Sequence, residues 1–207
     1  MPHERPPEPW HSFFLDIDKV LVQPVELQCI GGFAIAMLYG LPRPTVDVDF
    51  LSAVPIHETA NLESLAGMGS ALHNKHGVYV QHVGFVTVPD SYEDRLMPIF
   101  PSAYRRLRLL GLEAYDLALS KLERNSARDR EDVRFLARAV PLDLAVLEDR
   151  YRLELRPYLA AIERHDLTIR LWIEMLRDCL EITLPYIRSF WEGFRSSILH
   201  GTDLCGD

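Results

Sequence analysis

Two aspartates, Asp47 and Asp49, are separated by a single valine in the run Thr-Val-Asp-Val-Asp-Phe-Leu at positions 45–51. Because side chains alternate along a β-strand, an extended run places both carboxylates on one face and its apolar side chains on the other. Two carboxylates a few Å apart repel each other unless a cation lies between them. Mg²⁺ prefers oxygen ligands and often accompanies phosphates. The spacing therefore predicts a Mg²⁺ site, with an acidic pair that caps a turn as the alternative.

A pair of glycines, Gly31 and Gly32, precedes the acidic run. The glycines separate a predicted strand over residues 25–30 from a predicted helix over residues 33–39. Two adjacent glycines let the backbone approach a phosphate closely, and their N–H groups can bind its oxygens together with the N-terminus of the helix. We therefore expect a phosphate-binding turn; the alternative is a tight strand-to-helix turn without a ligand.

The first half of the chain alternates between strand and helix patterns, whereas the second half is mainly helical. The predicted order after the glycines is a helix over residues 33–39, a strand over 45–53, a helix over 57–72 and a strand-rich stretch over 77–88. Ser126 and Asp129 form the pattern of a capping box, which predicts that a helix begins there. We predict an α+β fold in which a small mixed sheet flanked by helices (residues 1–112) is followed by a helical region packed on it (residues 113–207).

The order of these motifs is similar to that of a known superfamily. A Gly-Gly turn, a helix and an Asp-x-Asp strand over residues 31–50 resemble the signature of the nucleotidyltransferase superfamily, which has a polymerase-β-like fold. Within it, the segment is most similar to small bacterial toxin-type nucleotidyltransferases of the AbiEii-like kind. A second block over residues 116–133 supports the resemblance, because it carries a Lys, an Arg and then Arg-Asp-x-x-Asp in the order of that family.

The resemblance implies a Mg²⁺-dependent enzyme that transfers a nucleotide from an NTP to a hydroxyl of RNA or protein. A toxin-type relative further implies a cognate antitoxin as a partner. By the same resemblance, Asp47 and Asp49 hold the metal, Gly31, Gly32, Arg43 and Thr45 bind the nucleotide, and the catalytic set is Asp47, Asp49, Lys121 and one of Asp129 and Asp132. For Arg43 and Thr45 a structural role is an equal alternative. Lys121 is alternatively an exposed lysine on a helix surface.

The sequence departs from the superfamily pattern at one position. Many members carry a third carboxylate on a neighbouring strand, but residues 78–88 contain no Asp or Glu. Either Asp94, in the following turn, supplies the third metal ligand, or Gln81 occupies the place of the missing acid. Without that acid, the alternative function is a catalytically inactive module that binds a nucleotide or a partner on the same fold.

Composition restricts the class of protein further. The chain of 207 residues has a net charge of −8, which argues against a general nucleic-acid coat. Residues 105–138 are nevertheless rich in arginine, which predicts either a local phosphate-binding face or an ion-paired helix surface. Three scattered cysteines are typical of reduced thiols, so we expect a cytoplasmic protein. Because no run of about 18 apolar residues occurs, we expect no membrane span.

Overall fold

A five-stranded sheet and the helices around it make up the part of the chain that the structure describes. The computed structural model describes residues 4–140 and 142–199, with side chains up to residue 180. In chain order the elements are α1 (Trp10–Val20), β1 (Val25–Cys29), α2 (Gly31–Tyr39), β2 (Asp47–Val54), α3 (Glu58–Ala66), α4 (Ala71–His76), β3 (Tyr79–His82), β4 (Met97–Ile99), β5 (Leu107–Gly111), α5 (Ala114–Leu119), α6 (Ala127–Ala139), α7 (Leu144–Arg150) and α8 (Ile162–Leu199). None of the helices in these described ranges is both long and apolar enough to cross a membrane.

The strands form one open mixed sheet in the order β3-β2-β1-β5-β4. Strand β1 runs antiparallel to β2 and parallel to β5, while β3 runs parallel to β2 and β4 antiparallel to β5. The antiparallel pairing places Cys29, the last residue of β1, opposite Phe50 of β2. The glycine turn that follows β1 therefore lies beside the aspartates of β2. The predicted α+β fold with a small mixed sheet is confirmed.

Helix α2, which carries the two glycines at its start, is fixed by an aromatic cluster. Trp10 and Phe14 on the apolar face of α1 have ring centroids 5.1 and 5.6 Å from that of Phe33 on α2. Phe14 and Phe33 are fully buried and Trp10 nearly so. Burial of each such ring contributes about 1.5–3 kcal/mol, so the cluster holds the start of α2 firmly against the rest of the core.

Two predicted elements in the first half were wrong in extent. The helix expected over residues 57–72 is divided into α3 and α4, because Gly67 and Gly69 lie between them and Gly69 has a φ of +82° that a right-handed helix excludes. In the stretch expected to be strand-rich, residues 77–88, only β3 pairs with the sheet. The chain leaves the sheet after His82 and crosses toward the helical half.

The helical half contacts the sheet side through a buried ion-pair network. Asp116 of α5 is fully buried and lies 2.9 Å from both Arg95 and Arg150. Arg95, in the 3-10 turn that precedes β4, also lies 2.7 Å from Glu154. These contacts join residues on both sides of the predicted boundary between residues 112 and 113, so the two predicted regions share one interior. The division of the chain into two regions at this boundary stays a prediction. Residues 200–207 of the predicted helical region lie outside the described residues.

Candidate active site

The acid pair, Asp47 and Asp49, lies on one face of β2. Val48 and Phe50 point to the opposite face and are fully buried, whereas both aspartates are partly exposed and line the same cleft. Alternation along the strand produces this arrangement directly. The two carboxylates are thus held on a rigid element at the wall of a cleft, which is where a metal ion would need them.

The glycine turn lies so close to the acid pair that a residue with a side chain would not fit at Gly31. Gly31 has a φ of +73°, and a Cβ atom added there would lie 2.6 Å from Oδ2 of Asp49. A Cβ atom on Gly32 would lie 3.4 Å from Nη2 of Arg43. Both glycines line the cleft at the start of α2, so backbone N–H groups, the helix N-terminus and the acid pair face one space.

Thr45 orients the first aspartate of the pair. Its hydroxyl donates a hydrogen bond to Oδ1 of Asp47 at 2.5 Å and also lies 3.2 Å from the carbonyl oxygen of Asp47. A side chain held in this way loses little further freedom when its carboxylate binds a cation. Thr45 therefore acts on Asp47 in this structure, in keeping with the structural alternative that the sequence left open.

The opposite wall of the cleft is built around Asp132 of α6. This carboxylate is almost completely buried, and its Oδ2 accepts a hydrogen bond from Nζ of Lys121 at 2.8 Å. Its Oδ1 lies 2.7 Å from Nη1 of Arg43. Lys121 is only 5% exposed, so it is not the exposed surface lysine of the alternative prediction. The structure brings Lys121, Arg43 and Asp132 into the cleft that holds the acid pair.

Asp129, the other acid that the family pattern offered, has a different environment. It completes the capping box of α6: its carboxylate accepts hydrogen bonds from the backbone N–H and the hydroxyl of Ser126 at 2.9 and 2.7 Å. Arg124 donates to it at 2.8 and 2.6 Å. Burial alone would raise the pKa of Asp129, but these hydrogen bonds from Arg124 and Ser126 outweigh burial and hold it well below its usual range. Asp132 lines the cleft, whereas Asp129 caps a helix beside it.

The pKa of Asp49 in the acid pair is shifted in the opposite direction to that of Asp129. Burial, and then the charge of Asp47, raise the pKa of Asp49 to about 6, although Arg124, Lys121 and Arg128 act in the opposite direction. Within the described residues, Arg43 and Lys121 pair with Asp132 and Arg124 pairs with Asp129, and no ion pair reaches Asp47 or Asp49. Two oxygen donors without a cationic partner fit the ligand set of a hard divalent cation such as Mg²⁺.

In the part of the chain that the structure describes, β3 carries no carboxylate at the place where the superfamily pattern has its third acid. On β3, the residue in register with Asp49 is Gln81, as one of the two alternatives expected. Asp94 lies in the turn before β4 and lines a neighbouring groove. The backbone N–H of Asp90 donates to the carbonyl oxygen of Glu154 and so holds this segment against the helical half. Among the described residues, no three His, Cys, Asp or Glu side chains form a metal-binding group. Asp94 does not line the cleft of Asp47 and Asp49 in this structure, and its role as a third metal ligand stays a prediction.

Three residues that were not predicted from the sequence as site residues also line the cleft: Arg124, Ser126 and Arg128. They belong to the arginine-rich stretch, and Ser126 is the residue at which a helix was predicted to begin. Lys121, Arg128 and Asp132 reach the same cleft although α5 ends at Leu119 and α6 begins only at Ala127. A continuous helix is therefore not what brings these side chains together.

The cleft has two arms that meet at Gly31, Asp49, Lys121 and Arg124. The phosphate arm has a volume of about 270 Å³, and its remaining lining residues are Gly32, Arg43, Asp47, Ser126, Arg128 and Asp132. The apolar arm has a volume of about 210 Å³, and its remaining lining residues are Ile30, Val83, Phe85, Val86, Ser120 and Glu123. The first is rich in cations and backbone donors, whereas the second has mainly apolar walls.

Comparison with known families agrees with this geometry. A family model described as a nucleotidyltransferase of unknown function (DUF6036) matches residues 14–177, a range that contains both arms of the cleft. No curated protein and no solved structure matches the chain. The resemblance to the nucleotidyltransferase superfamily is thereby confirmed, whereas closeness to the AbiEii-like toxins stays a prediction.

Proposed function

The chain belongs to a family of nucleotidyltransferases of unknown function, and from this premise we propose that it is a Mg²⁺-dependent enzyme. It transfers a nucleotide from an NTP to a hydroxyl of RNA or protein. Asp47 and Asp49 hold the metal, and the phosphate arm binds the triphosphate. The observation that carries the proposal is the acid pair, which forms no ion pair within the part of the chain that the structure describes and lies directly against the glycine turn.

The charges of the phosphate arm support a triphosphate as its occupant. Lys121 and Arg43 are held at the wall by Asp132, so their positive charges are already in place before a ligand arrives. Arg128 is exposed at the same arm. Preorganised cations and backbone N–H groups are the main means by which proteins stabilise phosphoryl groups in transfer reactions.

The reaction would proceed by in-line displacement at the α-phosphorus. A bound Mg²⁺ supplies Lewis acidity that offsets the charge on the phosphate oxygens. The acceptor oxygen forms a bond to the α-phosphorus, the bond from the α-phosphorus to the bridging oxygen of the β-phosphate breaks, and pyrophosphate leaves with that electron pair. The hydroxyl proton passes to water. Lys121 and Arg43 would hold the leaving pyrophosphate, and the N–H groups of the glycine turn would orient the remaining oxygens.

A second candidate function follows from Gln81. Because an amide stands beside Asp49 where a third acid is expected, the chain would on this alternative bind a nucleotide without transferring it. Binding and transfer must therefore be measured separately.

Binding is tested by isothermal titration calorimetry with each NTP in Mg²⁺ and again in chelator. We expect one NTP to bind in Mg²⁺ and binding to be lost in the double variant Asp47→Asn with Asp49→Asn. The matched control is Glu148→Gln with Asp149→Asn, which removes two adjacent exposed acids on α7 and should bind as the parent does. Equal affinity of the acid-pair variant and the parent would exclude these aspartates from the site.

Transfer is tested with NTP labelled at the α-phosphate, incubated with total bacterial RNA or total bacterial protein. Label retained on either fraction, dependent on Mg²⁺ and on the acid pair, supports the enzyme. Binding with no label on either fraction, and no release of pyrophosphate, would favour the inactive module.

The toxin role is a finer proposal that rests on the resemblance of residues 31–50 and 116–133 to toxin-type members. Expression in bacteria should then arrest growth, and the acid-pair variant should not, at equal protein level. A neighbouring gene that relieves the arrest would encode the antitoxin. Normal growth with the parent enzyme, under conditions where it transfers nucleotides, would contradict a toxin role while leaving the transferase intact.

A further inference from the structure

The apolar arm of the cleft ends at an aromatic side chain that the core does not use. Phe85 follows β3 and is fully exposed, next to the partly buried Val83 and Val86. A single exposed apolar side chain is common on protein surfaces, so exposure alone assigns Phe85 no role. Its place in the lining of the apolar arm leaves its ring free to contact a group bound there.

The geometry of in-line transfer assigns a side to each reactant. Cations and backbone N–H groups of the phosphate arm suit the β- and γ-phosphates, which leave as pyrophosphate. The attacking oxygen must then arrive from the opposite side of the α-phosphorus. The apolar arm adjoins the phosphate arm at Asp49 and Gly31, so it offers a second space beside the acid pair for that oxygen.

Charge around the apolar arm restricts what can enter. Glu123 lines it, and the two cations in its lining, Lys121 and Arg124, are already paired with Asp132 and Asp129. Val86 also lines an adjoining groove of about 710 Å³. Three exposed carboxylates and one exposed aromatic ring face that groove: Asp90, Glu93, Asp94 and Tyr158. A polynucleotide would bring its phosphates against these carboxylates, whereas a basic chain would find partners.

We propose that the apolar arm is the acceptor subsite and that the acceptor is a serine, threonine or tyrosine hydroxyl in a basic polypeptide segment. The inference rests on the proposed function and decides between its two acceptor classes. Phe85 contacts the apolar or cationic side chain next to the hydroxyl, and Glu123 with the acidic groove attracts flanking lysines or arginines. The hydroxyl oxygen bonds to the α-phosphorus, pyrophosphate leaves with the electron pair of the broken bond, and the proton goes to water.

The test uses fluorescence anisotropy of the full chain with Mg²⁺ and a non-hydrolysable NTP. The probes are a labelled peptide with one serine, one threonine and one tyrosine among lysines, and a labelled single-stranded RNA of equal length. We expect the peptide to bind more tightly than the RNA, and Phe85→Ala to weaken peptide binding about three- to tenfold. Glu123→Gln should weaken it as well. The control Met68→Ala, which removes another exposed apolar side chain, should have no effect.

Calorimetry with NTP separates this inference from the proposed function. Absence of NTP binding by the parent protein would reject the proposed function itself. If NTP binds, unchanged affinity in Phe85→Ala supports the acceptor subsite, whereas weaker NTP binding would reassign the apolar arm to the base of the nucleotide and overturn the inference. RNA binding that exceeds peptide binding and depends on Phe85, or peptide binding that does not depend on Phe85, would overturn it equally.

Discussion

Two pairs of aspartates lie within one cleft region and have opposite environments. Asp129 and Asp132 on α6 are buried and bound by Arg124, Lys121 and Arg43. The acid pair on β2 is partly exposed, has no ion-pair partner among the described residues, and includes a carboxyl whose pKa is raised to about 6. The same residue type is therefore ion-paired in one pair and has no ion pair, within the described residues, in the other.

This difference separates the acids that stabilise the fold from the acids that lower its stability. A buried carboxylate that is fully bonded contributes to the stability of the native state only as long as its cations remain. Carboxylates held together without a cation lower the stability of the apo protein, a cost that is typical of functional sites. The comparison predicts that removing charge from the two pairs will have opposite effects on folding.

The largest effect is expected for Asp132→Ala. Lys121, which is 5% exposed, would lose its hydrogen-bond partner at 2.8 Å and keep only Asp129 at 3.7 Å. Breaking a buried ion pair by removing one partner costs about 3–5 kcal/mol in unfolding free energy. Urea denaturation measures this loss. The double variant Asp132→Leu with Lys121→Met should recover much of it, and a loss below about 1 kcal/mol in Asp132→Ala would show that the pair is not structural.

The acid pair should behave in the opposite way. In chelator, Asp47→Asn with Asp49→Asn should unfold at the same temperature as the parent or higher, because the repulsion between the carboxylates is removed. Mg²⁺ at about 100 times its Kd should stabilise the parent by about 2.7 kcal/mol and leave the variant unchanged. Differential scanning calorimetry with and without Mg²⁺ measures both effects. A marked fall in melting temperature in chelator would mean that these acids are structural.

A smaller loss is expected for Ser126→Ala. The hydroxyl of Ser126 accepts a hydrogen bond from the backbone N–H of Asp129 and donates one to its carboxylate. Loss of such an N-cap costs about 1 kcal/mol. Thermal denaturation measures the loss, and Ser126→Thr should retain most of the stability. If the alanine variant is as stable as the parent, the capping box does not contribute to holding Asp129 in place.

Asp49 adds a pH dependence to stability in the absence of metal. Its pKa is about 6 in the folded protein and 3.8 when unperturbed, so the folded state binds more protons between these values. The contribution of Asp49 to stability is therefore fully present below about pH 4 and is lost as the pH rises through about 6. Relative to Asp49→Asn, the parent should therefore lose unfolding free energy as the pH rises from about 4 to about 7. A difference that does not change with pH would contradict the raised pKa.

Local patterns determined a large part of this protein. Alternation along residues 45–51 put Asp47 and Asp49 on one face, the glycines marked the turn beside them, and Ser126 with Asp129 marked the start of α6. Each of these depends on residues that are neighbours in the sequence, so side-chain periodicity and backbone preference suffice to predict them.

Only the tertiary structure decided which distant side chains complete the cleft. Asp132 rather than Asp129 faces the acid pair because α6 packs on α2 with that face inward. Asp94 is separated from β2 because its segment is bonded to the helical half, and Gln81 is beside Asp49 because of the register of β3. Lys121 and Phe85 likewise reach the cleft from connecting segments, after α5 and after β3, whose course depends on packing. Such long-range contacts depend on how whole elements are buried together, and that is not contained in any local pattern.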